Sequence, residues 1–189
     1  MNEELAAYIT RLCELSGHTT RIDDDVILVK PGEGYTDVYE AFTMVEEYYA
    51  YGHFERYSFG GARFSSVSLE IFKKFAIMHF AADIRAAHQL TPLEVPPMTD
   101  VHPSFSIEFL EPISYFLTSK ATPIPTTYTN VSPKTLVPLS YLMGTSSEDL
   151  LSLVLEPSGD GYVALFEGSP SSTPTGSKLQ NNSNHLSIL

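Results

Sequence analysis

Residues 68–92 decide the fold, and they read SLEIFKKFAIMHFAADIRAAHQLTP. Ser68 can cap a helix, and apolar side chains then recur at steps of four, which places them on one helical face. These side chains are Phe72, Ala76, Phe80 and Ile84, and Leu69, Ile77 and Ala81 widen the stripe. So broad a stripe predicts a central, largely buried helix that ends before Pro92. Its polar edge is expected to carry Lys73, Lys74, Asp83 and Arg85.

The chain before this helix predicts a first helix followed by a sheet. Asn2 can cap a helix with an acidic first turn and helically spaced apolar residues, and Gly17 ends it. After the acidic turn at residues 23–25, the β-branched run 26–29 predicts a buried strand. The Tyr-, Phe- and Val-rich segment 36–64, broken by glycines, predicts a meander of two or three antiparallel strands. A helix over 38–49 is the alternative.

Downstream of the central helix the expected elements are shorter. Four prolines make residues 91–103 a loop. Alternation over 105–109 predicts a half-buried strand with a neighbour at 113–118, followed by an irregular, proline-punctuated stretch from 123 to 138. Ser147 with Glu148 and Asp149 starts a short helix through Leu155, and residues 161–166 are expected to form a last strand.

These expectations define an α+β fold: a small antiparallel sheet meander with an N-terminal helix, a central buried helix and a short C-terminal helix. Residues 1–167 are expected to form one α+β domain, a size at which a single core is stable. Residues 168–189 form a Ser-, Pro- and Asn-rich tail whose composition cannot bury a core, so disorder is expected there.

The charge balance and the cysteine count limit the classes of function. The 23 acidic and 11 basic side chains give a formal net charge of -12, which disfavours nucleic acid and anionic membranes and favours a basic protein partner. Cys13 is the single cysteine, so no internal disulfide can form. The N-terminal segment is acidic and no apolar run reaches membrane-spanning length, so a cytoplasmic location is expected.

Catalytic motifs are mostly absent. Phosphate-binding loops and the common hydrolase signatures do not occur, and the best acid-base or metal candidate is His79 with Asp83, four residues apart on the central helix. His53 with Glu55 is a weaker pair. A helical histidine is more often a hydrogen-bonded core residue, so no enzyme activity, metal or cofactor is expected.

A cluster of acidic and tyrosine side chains is the remaining candidate site. Tyrosine supplies contact area at low entropic cost, and carboxylates match a basic partner. The solvated face of a sheet is the alternative explanation. The candidate partner-binding residues are Asp23, Asp24, Asp25, Glu33, Asp37, Glu46, Glu47, Tyr49, Tyr51 and Glu55.

Three segments carry a resemblance to a known family: LEIFKKF at 69–75, the Ile84-Arg85 pair, and LTPL at 90–93. With the preceding helix and aromatic meander, they resemble bacterial immunity proteins that neutralise toxins of the tuberculosis-necrotizing type, which are NAD glycohydrolases. The resemblance implies a non-catalytic antitoxin that occludes the active site of a cognate toxin. One alternative is an acidic secretion chaperone for an exported protein, which an exposed apolar groove would favour. Another is a small enzyme using His79 and Asp83, which a deep polar pocket would favour.

Overall fold

The computed structural model describes residues 2–30, 38–110, 114–121, 125–129 and 133–167. The expectations for Glu33, Asp37 and the tail at 168–189 lie outside these described residues. Helices are α1 Glu3–Ser16, α2 Leu69–Ala87, α3 Leu136–Leu142, α4 Ser147–Leu155 and α5 Asp160–Ala164, with a 3₁₀ turn at Pro133–Thr135. Strands are β1 Thr19–Asp23, β2 Val26–Lys30, β3 Val38–Val45, β4 Tyr48–Glu55, β5 Ser58–Ser66, β6 Phe105–Leu110, β7 Ser114–Ser119 and β8 Pro125–Thr129.

The described strands form one antiparallel sheet of eight strands in the order β1-β2-β3-β4-β5-β8-β7-β6. Strands β1 to β5 are one meander and β6 to β8 another, and the pairs Ser65↔Tyr128 and Ser66↔Thr127 join them. The α+β class is confirmed, in a sheet larger than the small meander expected. Three strands occupy the segment 36–64, so the helix alternative there is wrong.

Local hydrogen bonds begin and end the helices where the sequence predicts. The Oδ1 atom of Asn2 accepts a hydrogen bond from the Leu5 amide at 2.9 Å, and Gly17 ends α1 in the left-handed region at φ 74°. The hydroxyl of Ser68 accepts from the Ile71 amide at 3.4 Å at the start of α2. The first helix and the central helix are therefore confirmed.

Helix α2 lies at the centre of the core. Phe72, Phe80 and Ile84 are at most 1% exposed, and the ring of Phe80 lies 5.8 Å from that of Phe42 on β3. Helices α1 and α2 lie side by side, since Glu4 pairs with Lys73 at 2.7 Å near their starts. Burial of these aromatic rings is the main source of stability in such a core.

Two side chains expected on the polar edge of α2 are buried instead. Lys74 is 5% exposed and donates to the carbonyl of Met143 at 2.9 Å, and Arg85 is 1% exposed. The Arg85 guanidinium donates to four backbone carbonyls, those of Thr91, Val154, Glu156 and Pro157. Burial of a cation requires such partners. Thr91 is six residues from Arg85, and the other three carbonyls are about 70 residues away in the sequence.

Three further differences involve short elements. The stretch 123–138 is not irregular throughout: β8 begins at Pro125, where a strand tolerates the missing amide, and α3 has Pro138 in its first turn. The expected strand at 161–166 is wrong, because α5 and the helical turn after it lie there and place both Tyr162 and Phe166, four residues apart, in the core. Strand β1 was not expected because its sequence TTRID is polar and half-exposed.

Candidate interaction surface

Two hairpin turns bring acidic side chains together at one end of the sheet. The β1–β2 turn follows Asp23, the β3–β4 turn holds Glu46 and Glu47, and antiparallel pairing of β2 with β3 places both turns at the same end. The Thr43 hydroxyl donates to the Asp25 carbonyl at 2.8 Å and ties the turns together. We call the five carboxylates the acidic end: Asp23, Asp24, Asp25, Glu46 and Glu47.

Exposed apolar side chains accompany the acidic end. Met44 and Val45 precede the β3–β4 turn and are 36% and 44% exposed, and Val67, after β5, is 48% exposed. Ile22, beside Asp23, is 50% exposed. Sequence reasoning missed this group, although Val45 could have been noticed as an apolar residue adjoining a predicted turn. Apolar side chains within a polar rim are the composition of protein interfaces.

Glu55 lies at the opposite end of the sheet, apart from the acidic end. It adjoins the two-residue β4–β5 turn formed by Arg56 and Tyr57, which have φ values of 51° and 66°. Tyr57 is 94% exposed. A bulky residue rarely takes a positive φ, so this turn presents an aromatic ring to solvent at a cost in backbone energy.

The candidate tyrosines on β4 face α2. Tyr51 is 8% exposed and its ring lies 5.2 Å from that of Phe75, while the half-buried Tyr49 ring lies 6.0 Å from that of Phe72. These two rings belong to the core cluster or pack against it. Both rings therefore pack toward α2, although Tyr49 is only partly buried and lies two residues after Glu47 of the acidic end.

The histidine of α2 has a partner that sequence spacing did not indicate. The Nε2 atom of His79 lies 2.9 Å from Oε2 of Glu40 on β3, and the Tyr51 hydroxyl donates to Oε1 of the same carboxylate at 3.4 Å. Asp83 instead contacts His18, with Nε2 to Oδ2 at 3.1 Å. The hypothesis that His79 and Asp83 pair with each other is therefore wrong.

The environment of this cluster shifts two pKa values. Partial burial works to raise the pKa of Glu40, but the hydrogen bond and charge of His79, with the bond from Tyr51, hold it below its usual range. Burial, reinforced by the negative charge of Glu40, raises the pKa of Tyr51. Glu40 is thus an anion at neutral pH that links β3 and β4 to α2.

The structure also bears on three other kinds of chemistry: a reactive thiol, a metal site and a membrane-spanning helix. Burial raises the pKa of the Cys13 thiol to about 12, so it remains protonated near neutral pH. Within the described ranges, no three His, Cys, Asp or Glu side chains are grouped to hold a metal ion. None of the described helices has the length and apolar character needed to cross a membrane.

A cavity of about 770 Å³ opens beside α2. Its walls come from α2, from β5, from the segment after α2 and from the region of α3 and α5. Tyr51 and His79 reach it, so the Glu40 cluster forms part of its inner wall. The described lining residues include no Ser, Cys, Asp or Glu.

In this α+β fold the acidic end combines carboxylates with exposed apolar side chains, a composition that protein–protein interfaces also have. The sequence profile of the Imm61 family, Immunity protein 61, matches residues 12–162, and the chain therefore belongs to this family. The expected resemblance to immunity proteins is confirmed, and the family supports a toxin-neutralising role with a protein toxin as partner.

The fold is similar to that of a solved structure, Rv3902c from M. tuberculosis. The TM-score is 0.65 at 19% sequence identity, and the match covers 84% of this chain and 91% of that chain. A comparison with curated proteins gave no significant match.

Proposed function

We propose that this protein neutralises a bacterial NAD glycohydrolase by binding it and occluding its active site, with no catalysis of its own. The observation that carries the proposal is the match of residues 12–162 to an immunity-protein family. The choice of an NAD glycohydrolase rests on the sequence resemblance at residues 69–75, 84–85 and 90–93.

The acidic end is the proposed docking surface. Its carboxylates attract a basic partner over several ångströms, and the neighbouring Met44, Val45 and Val67 offer apolar area that becomes buried on contact. Charged rims steer the encounter, whereas the buried centre of an interface sets how long the complex lasts. Both features at one end of the sheet support a protein partner.

The cavity beside α2 is the one observation that favours the alternative of a small enzyme using His79. In that case the Glu40–His79 pair would act as a general base toward a molecule in the cavity. Against this, the imidazole is held by Glu40, and Asp83 is engaged with His18, so the residues first considered for catalysis do not converge.

The test is inhibition of a cognate toxin that cleaves NAD, once one is identified by co-purification with this protein. NAD cleavage by the purified toxin should fall to background at a one-to-one ratio with this protein, and this protein alone should leave NAD intact. A cognate toxin that keeps full activity at equimolar protein would eliminate the antitoxin proposal. NAD consumption by this protein alone, abolished by His79→Ala, would instead support the enzyme alternative.

A further inference from the structure

The eight-stranded sheet ends at two edge strands, β1 and β6, which differ in composition. Among the described residues, β1 pairs with β2 alone and β6 with β7 alone. Strand β1 carries the ion pair of Arg21 with Asp23, at 3.2 Å, and charged side chains protect an edge strand from pairing with another chain. Strand β6 reads FSIEFL, so Glu108 is its single charged residue, and its register with β7 has no bulge. The edge at β6 therefore lacks the usual protection.

The hydrogen bonds between β6 and β7 leave alternate backbone groups of β6 facing outward. The amide of Lys120 donates to the carbonyl of Ser104 at 3.0 Å, and these two residues continue the β6–β7 register by one step. In an antiparallel ladder, residue pairs that exchange hydrogen bonds alternate with pairs that do not. The even-numbered residues of β6 therefore bond to β7, whereas the amide and carbonyl groups of Ile107 and Phe109 point away from the sheet. Such groups are available to another strand.

The residues of β6 with outward backbone groups also carry its apolar side chains, all on one face of the sheet. Phe105, Ile107 and Phe109 alternate with Ser106 and Glu108. Phe105 and Ile107 pack partly against the core, whereas Phe109, near the end of the strand, is 55% exposed. An exposed apolar side chain on an unprotected edge is typical of a strand that another strand covers.

We propose that β6 pairs antiparallel with β6 of a second copy of this chain, about a two-fold axis at Ile107. The choice of a second copy rests on how well the strand matches itself in this register. Ile107 lies opposite its own copy and exchanges backbone hydrogen bonds with it. Phe105 lies opposite Phe109, which forms an aromatic pair on each side of the axis. Glu108 lies opposite Ser106, so no like charges face each other.

The two-fold pairing is compatible with the bonds already present and with the rest of the surface. The amide of Phe105 donates to the carbonyl of His102 at 2.9 Å, so the pair with Phe109 uses the Phe105 carbonyl and the Phe109 amide. Pairing of β6 with itself closes the assembly at two chains, because β1 takes no part. The acidic end belongs to strands β1 to β4, at the other side of the sheet, and the dimer uses none of its residues. The dimer does not depend on the proposed antitoxin function.

Sedimentation equilibrium of the unmodified protein, without any partner, tests the dimer. The average mass should rise from 20.9 kDa toward about twice that value between about 10 and 500 µM, because a contact along one strand is at the small end of interface sizes. The mass of a single chain throughout this range would overturn the proposal.

Substitution of Phe109 tests whether β6 is the interface. Phe109→Lys should weaken dimerisation at least about tenfold, because it removes the aromatic pairs and places a charge on the edge strand. Ile22→Lys is the matched control: it makes the same change of charge at a side chain that is 50% exposed on β1, and it should dimerise as the unmodified protein does. Dimerisation that survives Phe109→Lys, or that Ile22→Lys abolishes, would contradict the assignment to β6.

Cross-linking tests the register. In the proposed pairing the two copies of residue 107 have Cα atoms about 5.5 Å apart, within reach of a disulfide, so Ile107→Cys should form a covalent dimer with oxidised glutathione. Ser104→Cys is the control, because its two copies would lie about 20 Å apart and should not cross-link. The native Cys13 is buried and is common to both variants. Equal cross-linking of the two variants, or none of a folded Ile107→Cys, would overturn the two-fold register and the proposal with it.

Discussion

The Nη1 atom of Arg85 lies 2.7 Å from the carbonyl oxygen of Val154, which joins the end of the central helix to α4. The same nitrogen donates to the carbonyl of Glu156 at 2.7 Å, and Nη2 donates to that of Pro157 at 3.0 Å. Gly159, in the left-handed region, leaves room beside the guanidinium, since a Cβ there would lie 3.1 Å from its carbon. The buried guanidinium of Arg85 thus holds the segment between α4 and α5 against α2 by hydrogen bonds.

Replacing Arg85 by alanine should therefore destabilise the fold strongly. The change leaves several buried or partly buried carbonyls without their donor, and we expect a loss of about 3–5 kcal/mol in the free energy of unfolding. Urea denaturation of the variant and of the unmodified protein measures this loss of stability. Arg11→Ala is the control: this arginine is 51% exposed, and its ion pair with Glu148 should contribute less than about 1 kcal/mol. Equal losses in the two variants would mean that water replaces the guanidinium.

The position of Arg85 illustrates what the sequence could not predict. Helical periodicity indicated which face of α2 carries Phe72 and Phe80, because that pattern is local. The burial of Arg85 depends on carbonyls from a segment about 70 residues later in the chain, and no spacing rule connects them. Because Arg85 is charged, the sequence alone predicts that it lies on the exposed, polar edge of α2.

The Glu40–His79 contact should make stability depend on pH. The pKa of Glu40 is lower in the folded chain than in the unfolded chain, so its contribution is present above the unfolded pKa and is lost as pH falls through the folded pKa. Glu40→Gln should cost about 1–2 kcal/mol at pH 7. The cost should shrink as pH falls below the usual range of a glutamate carboxyl and then through the lower folded pKa of Glu40, where the carboxylate of the unmodified protein also becomes neutral.

The urea midpoints of the unmodified protein and of Glu40→Gln, measured from pH 3 to pH 7, show how the cost of the substitution changes with pH. Glu94→Gln, at an exposed position outside the helices and strands, is the control and should change stability by less than about 0.5 kcal/mol across the range. A cost of Glu40→Gln that stays constant with pH would contradict the assignment of the negative charge to Glu40.

The β4–β5 turn should become more stable when its two residues are replaced by residues that favour a positive φ. Arg56 and Tyr57 both have positive φ, the geometry of a two-residue turn that favours Asn-Gly. The double change Arg56→Asn with Tyr57→Gly should therefore stabilise the protein by about 1–2 kcal/mol. Thermal unfolding measures it. Arg56→Ala with Tyr57→Ala removes the same side chains but keeps the unfavourable φ, and it should give no such gain.

The sequence predicts the candidate binding residues only where their placement depends on local signals. Turns are signalled locally by runs of acidic residues, so Asp24 and Asp25 were correctly placed in a turn, whereas Asp23 is the last residue of β1. The sequence of β4 alternates aromatic with small residues, and alternation alone does not say which face a helix covers. Tyr49 and Tyr51 therefore could not be assigned to the core until α2 was placed against them.

Removing charge from the acidic end should slow the encounter with a basic toxin. Changing Asp23, Asp24 and Asp25 to Asn keeps the turn, because Asn tolerates the positive φ of 49° at position 24. The association rate should fall about tenfold at low ionic strength and by less at 0.5 M salt, while the dissociation rate changes little. Surface plasmon resonance at two salt concentrations measures both rates.

The matched control removes three negative charges elsewhere on the surface. It therefore distinguishes the effect of where the charges lie from the effect of the net charge on the association rate. A variant with glutamine at all three control positions should slow association by no more than about twofold, because local potential, not total charge, steers docking. If both variants slow association equally, the acidic end is not the docking surface, and the partner responds only to the overall charge. The control positions are Glu94, Glu108 and Glu167.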